Sequence, residues 1–340
     1  MDKGRLIHPK EASTPPNMGG KVMKPLCFAL SVILLFASWM PALLVPESYA
    51  QTMEWTKRYK GPGNSVDSAT ALVVDAQGNV YVTGFSTGAG SGWDYATIKS
   101  SPAGVRLWAR RYNGPGNGYD YPNALAIDAG GNVYVTGIST GAGSGPDYAT
   151  IKYSPTGEPL WLKRYNGPGN GIDAANALAL DAQGNVYVTG SSEGVESQSD
   201  YATIKYSPSG VVIWVKRYNG PASSVDNART LALDVAGNVY VTGFSMGIDS
   251  DWDYATIKYS PAGVRLWARR YNEPGNGGDQ ATGLALDAQG NVYVTGSSRG
   301  EGSDFDYATI KYSPFGEPQW MRWYNGPGNG GDYPHALAVV

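Results

Sequence analysis

Cysteine is nearly absent from this 340-residue chain; its one copy, Cys27, lies in the first 50 residues. No disulfide can therefore hold residues 51–340 together, and no thiol there can act as a nucleophile or ligand. Histidine is equally scarce, with only His8 and His335. The stretch between residues 51 and 334 thus lacks the groups needed for Ser-His-Asp or Cys-His catalysis. It cannot build a His- or Cys-ligated zinc site either. Charged residues make up only 16%, with a formal balance of −3. A nucleic-acid surface would need a basic stripe, so no nucleic-acid partner is expected. Beyond residue 50 no 3.6-residue apolar period runs long enough for a helix.

Glycine (46) and tyrosine (24) are plentiful, and the apolar fraction is 42%. That mixture suits short strands joined by tight turns and not disorder. One long apolar run exists, from Pro25 to Leu44, preceded by Lys21 and Lys24. Ser48-Tyr49-Ala50 then places small residues at the two positions a signal peptidase reads. We expect cleavage after Ala50 and a secreted or cell-surface protein with no remaining membrane span. Met23 opens the more ordinary signal of the two candidate starts. The alternative is an uncleaved anchor, because the run approaches the roughly 20 residues a bilayer requires. Pro41 and the Ser-Tyr-Ala site favour cleavage. Residues 1–50 hold five basic and three acidic groups of the total 26 and 29, so the remainder carries −5.

The rest of the chain is periodic. Trp55, Trp108, Trp161, Trp214, Trp267 and Trp320 stand 53 residues apart, as do Asn79, Asn132, Asn185, Asn238 and Asn291 of GNVYVTG. SPAGVRLWARRYN occurs at 101–113 and again at 260–272, a sign of duplication. The units run at about 68–120, 121–173, 174–226, 227–279 and 280–332, with partial strands at 53–59 and 335–340. Each unit reads as four strands: A (Ala69–Val74 in the first), B (Asn79–Phe85), C (Asp94–Ser100) and D (Val105–Tyr112). Val80, Tyr81, Val82 and Thr83 favour strand B. Asp75-Ala76-Gln77-Gly78 and Ser101-Pro102-Ala103-Gly104 are tight turns in which Gly supplies a positive φ. Four strands in about 50 residues is the signature of a propeller blade. The fold class expected is therefore all-β, a β-propeller.

GNVYVTG, followed by DYATIKYSPAG and LW, resembles the bacterial seven-bladed β-propeller (SBBP-type) repeat family. Its Asp-x-x-Gly-Asn-Val-Tyr-Val core is also similar to NHL-type propeller repeats. The resemblance covers residues 53–340 and implies a propeller on an exported or surface protein. The segment from Lys152 to Trp161 is more distantly similar to quinoprotein-like blades. Five whole units plus strand fragments imply a truncated six- or seven-bladed ring; the alternative is a five-bladed ring with two loose ends. A complete ring is expected to be a monomer.

The D-to-A and B-to-C loops are long and Gly-rich and should share one face, where a binding function would concentrate. Two acids recur there. Asp67, Asp120, Asp173, Asp226, Asp279 and Asp332 end the D-to-A loop; Asp94, Asp147, Asp200, Asp253 and Asp306 open strand C. As a ring of carboxylates they would hold Ca²⁺, the one cofactor the pattern suggests, or a cationic partner. The structural alternative is that each Asp accepts backbone N–H bonds where loop meets strand. Trp93 and Trp252 fall outside the 53-residue Trp series and offer stacking surfaces beside Asp94 and Asp253. Asp75 and its repeats are expected to form turns, and the Trp series to pack between blades. The paired basic residues of strand D are expected to guard an exposed edge. Symmetry breaks at Glu193 and Glu196, at 219–225, at Asp249 to Asp251, and at Arg322-Trp323.

No catalytic residues stand out. The leading expectation is a non-enzymatic binding or scaffold module taking a protein or glycan on its loop face. Two alternatives remain: a carboxylate-based glycan-active enzyme or quinoprotein-like oxidoreductase, and a structural module of a larger surface protein.

Overall fold

The computed structural model describes residues 54–340 except 275, 301–303, 335 and 340. The expected signal segment and its cleavage point lie outside the described residues. Twenty strands form five four-stranded antiparallel sheets, each in simple A-B-C-D order. Blade 1 comprises β1 (Asp67–Val74), β2 (Val80–Thr87), β3 (Trp93–Ser100) and β4 (Arg106–Tyr112). Blade 2 comprises β5 (Asp120–Ile127), β6 (Val133–Thr140), β7 (Pro146–Tyr153) and β8 (Pro159–Tyr165). Blade 3 comprises β9 (Asp173–Leu180), β10 (Val186–Glu193), β11 (Ser199–Tyr206) and β12 (Val212–Tyr218). Blade 4 comprises β13 (Asp226–Leu233), β14 (Val239–Met246), β15 (Trp252–Tyr259) and β16 (Arg265–Tyr271). Blade 5 comprises β17 (Gln280–Leu286), β18 (Val292–Arg299), β19 (Phe305–Tyr312) and β20 (Pro318–Tyr324). No helix among the described residues is long and apolar enough to cross a membrane.

The A-to-B turn shows why the repeat sequence folds as it does. Asp75 Oδ1 accepts the N–H groups of Gln77 and Asn79, at 3.0 and 2.8 Å. Its Oδ2 accepts from Asn79 Nδ2 and the Tyr81 hydroxyl. Gly78 completes the turn at φ +79°, a region an L side chain resists. These bonds hold the Asp75 carboxyl below the ordinary range against the effect of its burial.

The core lies between blades. Tyr81, Tyr95 and Trp108 of blade 1 pack on Val133, Val135, Ala149 and Ile151 of blade 2, and equivalent residues fill the next three junctions. Each such Trp also donates its indole N–H to the following blade, Trp108 to the Pro155 carbonyl at 3.0 Å. An aromatic of this size buries roughly 200 Å², worth about 5 kcal/mol. The inner strands β1, β5, β9, β13 and β17 pack beside one another in sequence, so the blades converge on strand A and splay outward at strand D.

Every strand A carries a one-residue bulge opposite the Gly of VTG, for example between Ala69 and Ala71 against Gly84. A Cβ on that Gly would run into a backbone carbonyl of strand A. The same two-faced packing leaves the end blades open. Trp320 is 37% exposed, against 8% for Trp108, Trp214 and Trp267. On blade 1, a cavity of ≈ 580 Å³ lies where Val80, Val82, Ala96 and Ile98 face residues 55–59. Residues 54–59 and the described part of 336–339 do not pair as strands. Trp55 nevertheless docks as the other Trp residues do, donating to the Pro102 carbonyl at 2.8 Å.

Candidate functional site

The loop ends of the strands hold a clip repeated at successive junctions. In blade 2, Arg164 Nη2 donates to Asp147 Oδ2 at 2.7 Å and to the Ser139 carbonyl at 2.8 Å. Its Nη1 donates to Ser139 Oγ and back to the Tyr112 hydroxyl of blade 1, at 2.5 and 2.9 Å. Arg111–Asp94, Arg217–Asp200 and Arg270–Asp253 repeat the pair at 2.7, 2.8 and 2.5 Å. The second basic residue of strand D therefore turns inward; the sequence had suggested a guard on the outer edge. The reason is a buried carboxylate within reach, which a guanidinium can pair and bridge. Burial opposes the Arg164 charge, but Asp147 and Tyr112 more than offset it and its pKa rises.

The second acid series closes the D-to-A loop. Asp120 Oδ2 accepts the Gly114 N–H at 2.6 Å, and Asp67, Asp173, Asp226, Asp279 and Asp332 make the equivalent bond. Burial raises the Asp120, Asp173 and Asp226 carboxyls above their usual range. Asp94, Asp147, Asp200 and Asp253 are also buried, as clip members, and Asp306 opens β19 at the equivalent position in blade 5. Most of both series is thus buried inside the loop layer, with Asp67, Asp306 and Asp332 half-buried. Among the described residues no three His, Cys, Asp or Glu converge as a metal site.

The last junction departs from the rest. Trp323 occupies the position of Arg111, Arg164, Arg217 and Arg270, and Glu273 that of Gly61, Gly114, Gly167 and Gly220. Glu273 Oε2 accepts from the Tyr271 hydroxyl at 2.6 Å, Trp323 Nε1 at 2.8 Å and Ser298 Oγ at 2.9 Å. A cationic hub has become an anionic one. Asp279 is fully buried beside it, and burial, with the Glu273 charge adding, pushes its carboxyl up to about 6. The Arg322-Trp323 irregularity was legible in sequence. The change at Glu273 is visible only when the units are stacked column by column.

Two aromatic groups also break the repeat at the loop ends. Trp93 packs on Phe85 and Tyr119, with ring centroids 4.5 and 5.0 Å apart, and Phe85 stacks on Tyr121 of blade 2 at 4.8 Å. Tyr119 is 65% exposed. In blade 4, Trp252 packs on Phe244 at 5.1 Å. The structure thus places both expected tryptophans on the loop face, and it adds the tyrosines and phenylalanines that sequence reading missed.

The five blades define an all-β protein of the β-propeller class. A family model, the SBBP beta-propeller repeat, matches residues 266–302, which run from β16 through β18. The chain is similar to the uncharacterized WD repeat-containing protein L264 of Acanthamoeba polyphaga mimivirus, 26% identical over 203 residues. That match covers 45% of this chain and 14% of the viral protein, so the chain spans only a small part of its relative. Similar solved structures include a eukaryotic initiation factor (TM-score 0.44, 11% identity, 77% of this chain and 56% of that one). Another is a putative gluconolactonase (0.37, 15%, 74% and 76%). A third is regucalcin, a calcium-binding protein from Agrobacterium tumefaciens (0.36, 13%, 69% and 70%).

Proposed function

We propose that the chain is a non-enzymatic binding module, exported to the cell exterior, that takes a glycan or protein ligand on its loop face. The observation that carries this is the Phe85, Trp93, Tyr119 and Tyr121 group. Those four positions are aromatic together only at the junction of blades 1 and 2. A structural role would recur in every blade; this one does not. Flat, rigid aromatic surfaces bind with little entropy loss and stack well on apolar ligand faces. The loops beneath are fixed by the buried Asp and Arg groups, so the surface is preorganised.

A glycan array, followed by calorimetry on the best ligand, tests the reading. Replacing Trp93 and Tyr119 together by alanine should weaken binding at least tenfold; unchanged affinity removes this surface from the proposal. The enzyme alternative finds its best support in Asp279 and Glu273, a carboxyl pair with a perturbed member. Asp279 is fully buried and its oxygens accept the Glu273 and Arg299 backbone N–H groups. A carboxyl so buried and so engaged supports binding over turnover. A hydrolysis screen that found turnover would reverse this preference.

A further inference from the structure

The bulge residue of strand A has one job in four blades. Thr70, Asn123 and Asn176 donate to the Pro122, Ala175 and Ala228 carbonyls of the following strand at 2.6, 2.8 and 2.8 Å. Thr282 reaches the Pro334 carbonyl at 3.3 Å. In blade 4 the bulge residue is Arg229, between Ala228 and Thr230. Its guanidinium forms no hydrogen bond or ion pair among the described residues and lies over the Phe244 ring at 5.1 Å; the residue as a whole is exposed, while partial burial of the charged group lowers its pKa. A bulge re-aims a side chain out of the regular pleat, and here it aims a lone cation.

A second unused donor belongs to a residue packed on the same ring. Trp252 packs on Phe244 with centroids 5.1 Å apart, and its indole Nε1–H is buried without a partner. An unmet buried donor is unfavourable unless something supplies an acceptor. The nearest acid on its own loop, Asp251, is already engaged by the Trp252 backbone N–H at 2.9 Å. Arg229, Phe244 and Trp252 all depart from what most other blades carry at these positions; Phe244 and Trp252 lie near the loop ends of β14 and β15, and Arg229 lies at the mid-strand bulge of β13. An unpaired guanidinium beside two aromatic rings matches a ligand with an anionic group on a ring having an apolar face. A guanidinium recognises a carboxylate through two parallel bonds, and an indole stacks on a sugar face.

We propose that Arg229, Phe244 and Trp252 form a subsite for a carboxylate-bearing sugar, a uronate residue of an acidic glycan. This rests on the glycan reading of the loop face and names its ligand class. Arg229 pairs the carboxylate, Phe244 holds the guanidinium in place, and the part-exposed Trp252 ring stacks on the sugar face.

The test is calorimetry of the full chain with a galacturonate trisaccharide and its carboxyl-reduced, neutral counterpart, at 50 and 300 mM NaCl. The uronate should bind at least tenfold tighter, with the preference shrinking at high salt. Arg229→Gln should abolish the preference while leaving the neutral sugar's affinity unchanged. Trp252→Ala, which removes the stacking surface, should weaken both sugars several-fold. Circular dichroism and melting of each variant confirm that it is folded. Equal affinity for the two sugars, or a preference that survives Arg229→Gln, overturns the subsite. If both sugars bind equally and Trp93→Ala/Tyr119→Ala abolishes binding, the subsite fails and the general glycan reading stands. If neither sugar binds while another array glycan does, only the subsite is lost; if no glycan binds, both are.

Discussion

Glu273→Gln should flatten the pH dependence of stability and raise stability near neutrality. All three donors to Glu273 converge on Oε2, so the glutamine carbonyl can keep them while the negative charge disappears. Asp279 titrates at about 6 in the fold, against about 3.9 for an ordinary aspartate. Two units correspond to about 3 kcal/mol of unfavourable native-state energy when the group is ionised. The sign follows from proton binding. The native carboxyl holds its proton more tightly than the unfolded one, so the penalty is absent below about pH 4. It develops as pH rises toward 6 and is complete above that. Burial is the larger cause and persists in the variant, leaving Glu273 a share on the order of 1 kcal/mol. Urea unfolding from pH 4.5 to 7.5 measures it. The variant should match the native chain at the acidic end and exceed it by about 1 kcal/mol at pH 7. A difference constant across that range, or a variant less stable at pH 7, would refute the reasoning.

The clip and the bulge make their own predictions. Arg164→Met keeps the stem but leaves Asp147 buried without its cation, which should cost about 3 kcal/mol in chemical unfolding; a loss under 1 kcal/mol would mean the pair is solvated. Gly190→Ala puts a Cβ against the Ala174 carbonyl across the bulge, and the two backbones cannot separate without breaking β9 from β10. We expect destabilisation of several kcal/mol or failure to fold, whereas Gly143→Ala, where a Cβ meets open space but φ is +91°, should cost only about 1 kcal/mol. Trp214→Ala, removing the wedge between blades 3 and 4, should cost about 3–5 kcal/mol, read as a lower urea midpoint.

Much of the fold was legible from residue order because local chemistry repeats it. Asp75, Gly78 and Asn79 write a turn, the VYVT run writes a strand, and a constant 53-residue phase means that each blade must meet its neighbour in the same way. Strands A, B and C came out one or two residues longer than expected at their loop ends, where Asp67 and Trp93 join the ladder through Ser86 and Thr87, while strand D ended at Tyr112 as expected. The inward turn of Arg111 and its repeats was not legible. Edge position in a sheet says nothing about whether a carboxylate waits beside the strand.

The chain's order of residues by itself determined the blade: its turns, its alternation of faces and the tryptophan that joins it to the next, because all of these depend on near neighbours and on a strict period. Only the tertiary structure decided which acids are buried, which cation pairs them, and where Glu273 turns a cationic hub into an anionic one. Those outcomes depend on residues 17 to 52 positions apart meeting across strands and blades. It is there, at Glu273 beside Asp279 and at Arg229 beside Phe244, that a nearly uniform repeat acquires positions unlike any other in the chain.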